Sequence, residues 1–196
     1  MREVPRGSMK RNGYGAVTPA AGETPDWKGR DYTATDLRCR NFTGAQLRYA
    51  NFSRANLRGV SFRDADARGA RFDEADLTTA DFTGTLLQGA RFRRARLYRA
   101  SFRQALLLSA HLEHAQVRGA TFVGANLEWA WVEGVDFQEA EVSCALLLNV
   151  RGLSPKVARL VEALGGFTGT RPMILGRELY EGPGQMEETA APPPEG

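Results

Sequence analysis

The chain has 196 residues, with 26 basic and 23 acidic side chains and a formal net charge of +3. This length fits one domain with short appendages, and so small a positive excess does not by itself define a nucleic-acid-binding protein. No apolar run reaches the roughly 18 residues of a membrane helix, and the N-terminus lacks the apolar segment of a signal peptide. We therefore expect a cytoplasmic protein with no membrane association.

The first 26 residues show no hydrophobic periodicity. Residues 4–8 read Val-Pro-Arg-Gly-Ser, which is typical of a protease-cleavable expression tag, and Met9 follows as a candidate native start. The residues after Met9 are rich in Gly, Pro and Ala, a composition typical of flexible segments. We interpret residues 1–26 as a tag remnant and a flexible lead-in, with ordered structure beginning near Trp27.

From Thr35 to Leu147 the sequence repeats every five residues. Alanine occupies eighteen of the twenty-three positions counted in fives from Thr35, and a large apolar residue follows two positions later in nearly every unit. Nine of the ten phenylalanines belong to this second series. A period of five fits neither the roughly 3.6 residues of a helical turn nor the alternation of a strand. It indicates a solenoid, in which each unit buries its apolar side chain against its neighbours.

The units at 55–59 (Ala-Asn-Leu-Arg-Gly), 75–79 (Ala-Asp-Leu-Thr-Thr) and 125–129 (Ala-Asn-Leu-Glu-Trp) match the motif A-(D/N)-(L/F)-x-x. In this motif the chain resembles the pentapeptide-repeat proteins. The resemblance implies an all-β fold, a right-handed quadrilateral β-helix of about six coils over residues 27–150. Residues twenty apart then stack on successive coils, with the alanine and the large apolar residue inward and the other three residues outward. Glycine at the fifth position fits a corner with positive φ.

A helix is predicted after the repeats. Ser154 is a candidate N-cap, and Pro155 lies at the first helical position. The apolar stripe of this helix is predicted to consist of Val157, Leu160, Val161 and Leu164. Because an open solenoid end exposes core side chains and unpaired backbone, we interpret residues 151–182 as a cap helix and a packing segment. Residues 183–196, rich in Gly, Pro and Glu, are predicted to be a disordered tail.

Six arginines form the most prominent cluster of like charge: Arg91, Arg93, Arg94, Arg96, Arg99 and Arg103. One interpretation is a patch that binds phosphate or nucleic acid. The other is a set of exposed ion pairs between residues twenty apart: Asp73 beside Arg93, Glu74 between Arg54 and Arg94, and Asp76 beside Arg96. We favour the ion pairs and expect no direct binding of nucleic acid.

Charge is also divided along the chain. Residues 30–105 carry fifteen arginines against eight acids, a net charge of +7, whereas residues 106–150 carry one arginine against six acids, a net charge of −5. Such a dipolar rod can orient on a charged partner. The resemblance has a functional branch here, because some pentapeptide-repeat proteins bind DNA gyrase or topoisomerase IV as mimics of duplex DNA and protect against topoisomerase poisons. Those proteins are acidic over the mimicking face, whereas only the C-terminal coils are acidic in this chain.

A second group of outward residues is apolar: Leu86, Leu106, Leu108, Trp129, Trp131, Leu146 and Leu148. Stacking by twenty places Leu86, Leu106 and Leu146 in one column and the other two leucines in the column across from it, with the tryptophans around the next corner. A contiguous apolar patch usually marks a surface that something covers. The cover is either the C-terminal helix with segment 167–180 or a second copy of the chain, which would make a homodimer.

His111, Glu113 and His114 are the candidate cluster for metal binding or acid-base chemistry. All three occupy outward positions without a fourth ligand or a shielded cleft. Cys39 and Cys144 lie far apart in the sequence, which argues against a structural disulfide. We therefore predict no enzyme, no metal and no cofactor. The predicted function is a scaffold that binds another macromolecule through the rod surface, and the alternative is a DNA mimic whose partner is a type II topoisomerase.

Overall fold

The computed structural model describes residues 27–169 together with short strands at 10–11, 17–18, 173–175 and 178–180. Within 27–169, parallel bridges join residues twenty apart, from Asp31 with Asn51 to Trp131 with Arg151. Each coil therefore has four sides of five residues, and the predicted stacking by twenty is confirmed. We number the four faces of this rod in chain order: face 1 begins with residues 31–34, face 2 with 36–39, face 3 with 41–44 and face 4 with 46–49.

Each side of the coil ends in a tight turn. At Gly59 the N–H of Val60 donates to the carbonyl of Leu57 at 3.2 Å, and Gly59 has a φ of +66°. Fifteen non-glycine residues adopt the same left-handed conformation at equivalent corners, although steric contacts of Cβ disfavour it. The prediction of positive φ at this position is confirmed. Corner residues such as Arg54 and Trp129 consequently project along the edges of the rod.

The core consists of the two inward positions of each unit. Phenylalanines fill the large position on faces 1 and 3, where Phe62 and Phe82 stack with centroids 4.7 Å apart and planes inclined by 5°. The inward residues from Ala45 to Leu147 are all buried. Thr85 replaces an alanine, and its buried hydroxyl donates to the carbonyl of Phe62 at 2.7 Å. The interior is therefore closely packed, and the one buried hydroxyl among these inward residues has a hydrogen-bond partner.

Two aromatic residues begin the core. Trp27 and Tyr32 occupy the large inward position of the first units, are buried, and contact each other edge to face with ring centroids 6.1 Å apart. Burial raises the pKa of the Tyr32 phenol to about 12, although Arg30 lowers it in part. Trp27 is the first residue of the described rod.

Arg40 occupies an alanine position of the first coil without making that coil irregular. The ladder is continuous, because the N–H of Ser61 donates to the carbonyl of Arg40 at 3.1 Å and the N–H of Phe42 donates to Ser61 at 2.7 Å. The side chain of Arg40 is half-buried, as is that of Thr35, whereas Ala45 is buried. The small positions of the first coil are less enclosed, so a long side chain leaves the core without bending the backbone.

Helix α1, Pro155–Ala163, follows the last rung of face 1. The Ser154 hydroxyl accepts a hydrogen bond from the N–H of Val157 at 3.3 Å, so Ser154 is the N-cap as predicted. At the other end, Gly165 has a φ of +84°. Its N–H and that of the next glycine donate to carbonyls of the last turn at 3.1 and 2.9 Å, which satisfies the end of the helix.

The predicted apolar stripe of α1 is wrong in one position. Val161 is fully buried in the core, and Val157 packs against the core. Leu160 is half-buried. Leu164 is exposed, however, and Ala158 is buried in its place. The helix ends at Ala163, so Leu164 is the C-cap and lies where the backbone already turns away from the core.

The chain returns to face 4 after α1. Phe167 bridges Leu146, and its N–H donates to the carbonyl of Ala145 at 2.8 Å. The repeat motif does not predict this extra rung, because the spacing from Leu146 is twenty-one residues.

Four short strands lie outside the rod. Strands β1, Lys10–Arg11, and β2, Val17–Thr18, pair antiparallel, as do β3, Met173–Leu175, and β4, Glu178–Tyr180. Apart from these strands, four predicted segments lie outside the described residues: the tag remnant, the lead-in, the packing segment beyond Gly169 and the C-terminal tail. No helix in the described part of the chain is long and apolar enough to cross a membrane.

Candidate functional site

The outward leucines lie together on face 4. Leu86 bridges Leu106, Asn126 continues the column to Leu146, and Phe167 extends it by one rung. Two residues further along the same rungs, Leu108 and Leu148 occupy the neighbouring column. We define the leucine face as Leu86, Leu106, Leu108, Leu146, Leu148, Phe167 and the corner residue Trp129.

The leucine face is partly accessible. Its five leucines are half-buried. Phe167 is 37% exposed and Trp129 is 49% exposed. Earlier rungs of face 4 carry polar side chains at the same positions: Gln46, Arg48, Asp66 and Arg68. The apolar surface is therefore confined to the C-terminal half of this face, next to the end of the rod.

Helix α1 lies over the end of the stack rather than along the leucine face. Its buried Val161 belongs to the core, and its C-terminal end contacts face 3, where the N–H of Cys144 donates to the carbonyl of Gly165 at 2.8 Å. The chain reaches the leucine face only after the helix. A Cβ placed on Gly169 would lie 3.2 Å from Cδ2 of Leu148. Of the predicted internal cover, the segment 167–169 reaches the leucine face, where Phe167 joins it and Gly169 lies beside Leu148.

The predicted ion pairs of the arginine cluster are only partly correct. Arg54 binds Glu74 at 3.0 Å, as predicted. Three other pairs differ from the prediction: Arg91 with Asp73 at 3.1 Å, Arg93 with Glu113 at 2.9 Å, and Arg58 with Asp76 at 3.5 Å. The nearest arginine of each aspartate lies eighteen residues away instead of the predicted twenty, and Asp73 also lies 3.7 Å from Arg71 on its own rung.

The diagonal pairing has a local cause. Oδ1 of Asp76 accepts hydrogen bonds from the N–H of Thr78 at 3.1 Å and from its hydroxyl at 2.6 Å. This turn directs the carboxylate along its own rung, toward the second outward column. There it meets Arg58 from the preceding coil instead of Arg96, which stacks directly above it.

Asp66 on face 4 is the most enclosed of these carboxylates. Its Oδ2 lies 2.6 Å from Arg68 and 3.0 Å from Arg48, and the side chain is 9% exposed. The hydrogen bond from Arg68 lowers the pKa of Asp66 below its ordinary value, and this effect outweighs the partial burial that raises it. The pKa of Asp76 is also lowered, because Thr78 and Arg58 more than offset its burial.

Three arginines of the cluster have no ion pair among the described residues: Arg94, Arg96 and Arg99. All three are exposed on face 2 and at its two corners. The predicted pairs of Arg94 with Glu74 and of Arg96 with Asp76 do not form. Arg103, by contrast, binds Glu141 at 3.0 Å, almost two coils away. The cluster thus divides into paired arginines and an unpaired group on one rung.

The histidine cluster makes stacking and ionic contacts on face 1. Nδ1 of His111 lies 3.1 Å from Oε1 of Glu113, and the ring stacks on Trp131 with centroids 5.6 Å apart. The guanidinium of Arg151 lies 4.6 Å from the centroid of Trp131. His114 lies at the following corner, with a φ of +59°. No group of three metal-ligating side chains in the described residues is placed to hold an ion. Trp131 thus belongs to this stack on face 1, around the corner from the leucine face.

One break in the ladder was not predicted. In the described rod, Gln116 and Asp136 form no bridge, and the N–H of Gly119 donates to the carbonyl of Glu139 at 3.1 Å. Glu139 is not left-handed, unlike the equivalent corner Glu74. A groove of about 400 Å³ lies here, and Tyr98 and Arg118 are among its lining residues. The unit Val135–Glu139 carries valine at the alanine position, but Val60 does the same where the ladder is intact, so this departure does not predict the break.

A coil with four five-residue sides, a filled core and freely varied outer faces defines a β-solenoid of five-residue units. A family model described as pentapeptide repeats (8 copies) matches residues 41–78, 75–107 and 100–138, which together span half of the chain. The chain belongs to the pentapeptide-repeat family. The solenoid fold predicted from the motif is supported by this match.

Solved structures of the same fold are similar to the chain. HetL, a pentapeptide repeat protein involved in heterocyst differentiation regulation from the cyanobacterium Nostoc sp. strain PCC 7120, is 26% identical over 66% of this chain and 55% of its own, with a TM-score of 0.59. The chain thus spans just over half the length of HetL.

Two further structures are less similar. Rfr23 from the cyanobacterium Cyanothece 51142 is 23% identical over 64% of this chain and 90% of its own, with a TM-score of 0.45. QnrB1, a plasmid-mediated fluoroquinolone resistance protein, is 23% identical over 71% of this chain and 87% of its own, with a TM-score of 0.35. Among curated proteins, none matches the chain.

Proposed function

We propose that the chain is a non-enzymatic scaffold of the cytoplasm that binds a protein partner through the surface of its rod. The observation that carries this proposal is the leucine face, an apolar patch of half-buried leucines with Phe167 and Trp129 exposed beside it. Apolar surface concentrated on one face marks sites of interaction, and here its leucine rungs are separated by one polar rung with Asn126 and Glu128. The inward positions are buried in the core, so the outward faces are the part of the rod available for recognition.

The size of the leucine face sets a limit on the affinity it can provide. It extends over five rungs from Leu86 to Phe167, about 19 Å along the rod at the strand spacing of parallel ladders. Completing the burial of a half-exposed leucine contributes about 1 kcal/mol. Trp129, at the edge of the patch, has the size and exposure of an anchoring residue. The patch alone is smaller than the roughly 800 Å² per partner of a standard interface, so a partner also contacts the adjoining corner and face.

The charge asymmetry supports an oriented partner. Most of the leucine face lies in residues 106–150, which have a net charge of −5, next to residues 30–105 with a net charge of +7. A partner with a basic rim around an apolar centre would be attracted to the C-terminal coils and repelled by the N-terminal ones.

The test uses a double variant, Leu106→Glu with Leu146→Glu, which places two charges in the leucine column. The matched control, Gln46→Glu with Gln104→Glu, adds the same charge elsewhere on the rod. We expect wild type and control to retain the same proteins from a lysate of the native host. The double variant should lose one of them, and that protein, once purified, should bind wild type and not the double variant.

Sedimentation of the same three proteins distinguishes the partners. A wild-type dimer that only the double variant dissociates identifies the partner as a second copy of the chain. Equal mass, equal melting temperature and equal retention of all proteins by the three samples would contradict the proposal.

The topoisomerase-binding DNA mimic stays a prediction. DNA mimicry needs a continuous acidic stripe, whereas the paired carboxylates of the rod lie on all four faces, as Asp73, Asp76, Asp81 and Asp66 show. Each of these four is neutralised by arginine. A gyrase supercoiling assay with and without a poison tests this alternative, which protection by the purified protein would support and the absence of binding, inhibition and protection would contradict.

A further inference from the structure

Face 2 carries an isolated group of unpaired positive charge. We define the arginine strip as Arg94, Arg96 and Arg99, which occupy one rung from corner to corner. All three side chains are exposed, and none has an ion-pair partner in the described part of the chain. The strip is thus about 4.8 Å high along the rod and one face wide, by the spacing of parallel strands.

The other arginines of face 2 and its first corner are neutralised within the protein. Arg38 binds Asp36 at 2.8 Å, Arg54 binds Glu74 at 3.0 Å, and Arg118 binds Glu139 at 2.6 Å. Arg58 is paired with Asp76, as described above. Unpaired positive charge is therefore a property of the strip and not of face 2 as a whole. Among the arginine-containing rungs of the described face 2, the strip is the one whose arginines form no ion pair.

An aromatic side chain, a glycine and a groove border the strip. The hydroxyl of Tyr98, which lies between Arg96 and Arg99 in the sequence, donates to Oε1 of Gln116 on the next rung. A Cβ on Gly119 would lie 3.3 Å from Cγ of Arg99, so the missing side chain at that glycine gives room to the arginine stem. Tyr98 is 36% exposed and borders the groove of about 400 Å³ at the break in the ladder. Exposed cations beside an aromatic ring and a groove form a local recognition surface rather than a diffuse patch.

We propose that the arginine strip binds an acidic segment of a partner protein, with aspartate or glutamate carboxylates on the three guanidinium groups. Unpaired guanidinium groups prefer carboxylate or phosphate ligands, which they can bind with two parallel hydrogen bonds. The neighbouring rungs favour a short peptide over a nucleic acid. Glu74 and Asp76 lie on the rung before the strip, and Asp136 and Glu139 lie two rungs after it. A longer phosphate chain running along the face would meet these carboxylates, whereas a peptide that crosses the face on one rung avoids them.

The proposal is tested with fluorescein-labelled hexaglutamate and the full-length protein, by fluorescence anisotropy at increasing salt. The variant replaces Arg94, Arg96 and Arg99 with glutamine. The matched control replaces Arg38, Arg54 and Arg58 with glutamine, which removes the same charge from the same side of the rod. We expect the strip variant to bind at least about ten-fold more weakly than wild type, and the control to bind within about two-fold of it. Binding of the wild type should also weaken as salt rises.

Two further measurements distinguish a change at the strip from unfolding and from a change at the leucine face. Melting temperatures of both variants should stay within about 3 °C of wild type, since the replaced side chains are exposed. Leu106→Glu with Leu146→Glu should leave hexaglutamate binding unchanged. Loss of partner binding at the leucine face can then be distinguished from loss of peptide binding at the strip. Equal losses in the strip variant and the control would overturn the proposal, because net charge alone would explain them. Absence of binding, or tighter strip-dependent binding of hexathymidylate than of hexaglutamate, would also overturn it.

Discussion

The coils before and after Leu106 share one core but differ in their outer surface. Before it, the outward positions are rich in arginine and in ion pairs, with a net charge of +7; after it, they are acidic and carry most of the leucine face, with a net charge of −5. Face 4 shows the change within two rungs, where Asp66 and Arg68 are succeeded by Leu106 and Leu108 at the equivalent positions. The inward side chains are equally buried in both regions. Core and surface are thus specified by different positions of the unit, and one can change without the other.

The largest expected effect is that of removing a core phenylalanine. Doing so on each side of Leu106 tests whether the two regions share one core. Phe62→Ala and Phe122→Ala remove fully buried rings that stack on a neighbour, at 4.7 Å from Phe82 and 5.0 Å from Phe102 respectively. Each should lower the free energy of unfolding by about 3–5 kcal/mol. The measurement is urea denaturation followed by circular dichroism. A loss several-fold smaller in Phe122→Ala would show that the C-terminal coils are less tightly packed.

The next effect separates an enclosed ion pair from an exposed one. Asp66→Asn leaves Arg48 and Arg68 without their carboxylate in a site where the aspartate is 9% exposed, and should cost about 1–3 kcal/mol. Because the folded pKa of Asp66 lies below its unfolded value, this contribution is present above the unfolded pKa and is lost as the pH falls through the folded pKa.

Asp36→Asn is the matched control, since the pair between Asp36 and Arg38 is exposed. Urea denaturation at neutral pH and at successively lower pH should show a gap between wild type and Asp66→Asn that closes on acidification. Equal effects of the two substitutions at neutral pH would mean that enclosure adds nothing to the Asp66 pair.

A smaller effect concerns the end of the rod. Ser154→Ala removes the N-cap of α1 and should cost about 1 kcal/mol, whereas Ser154→Asp should keep most of it. Since Val161 belongs to the core, loosening α1 should increase hydrogen exchange at the rungs near Val142 and leave the first coils unchanged. Uniform exchange along the rod would show that the cap does not protect the C-terminal region selectively.

The smallest effect tests the ion pairs of the N-terminal coils. A double-mutant cycle with Arg54→Gln and Glu74→Gln should give a coupling energy of about 0–1 kcal/mol, because both side chains are exposed. Added salt should reduce it further. A coupling above this range that persists at high salt would mean that surface charge contributes to the fold as strongly as the enclosed site at Asp66.

The sequence predicts the inside of this protein better than its outside. The five-residue register identifies the buried residues and the glycine corners, because each inward position has the same neighbours in every coil. Ion pairs depend in addition on local hydrogen bonds, which the repeat does not describe. Thr78, for example, turns the carboxylate of Asp76 toward Arg58. The leucine column follows from the register, but its last member, Phe167, enters after a helix and a spacing of twenty-one.

The break at Glu139 has no counterpart in the sequence. Glu74 and Glu139 occupy the same position of the unit, and only Glu74 is left-handed. Glu139 lies on the last rung of face 2, after which the chain crosses into α1 instead of adding another coil. The missing next rung does not by itself explain the break, because Cys144 lies on the last rung of face 3 and is left-handed.

The four-sided coil gives insertions and deletions a simple geometry. Gain or loss of twenty residues lengthens or shortens the rod by one rung and leaves every face in line. Gain or loss of five residues keeps the inward positions inward but places phenylalanine over leucine, and it rotates everything after it by a quarter turn, so that the leucine face would move to a side adjacent to the Asp66 column. Gain or loss of ten residues moves the leucine face to the opposite side and keeps phenylalanine over phenylalanine. A lineage of such proteins can therefore bring existing surfaces into new combinations by a change of two units, with little change in the interior.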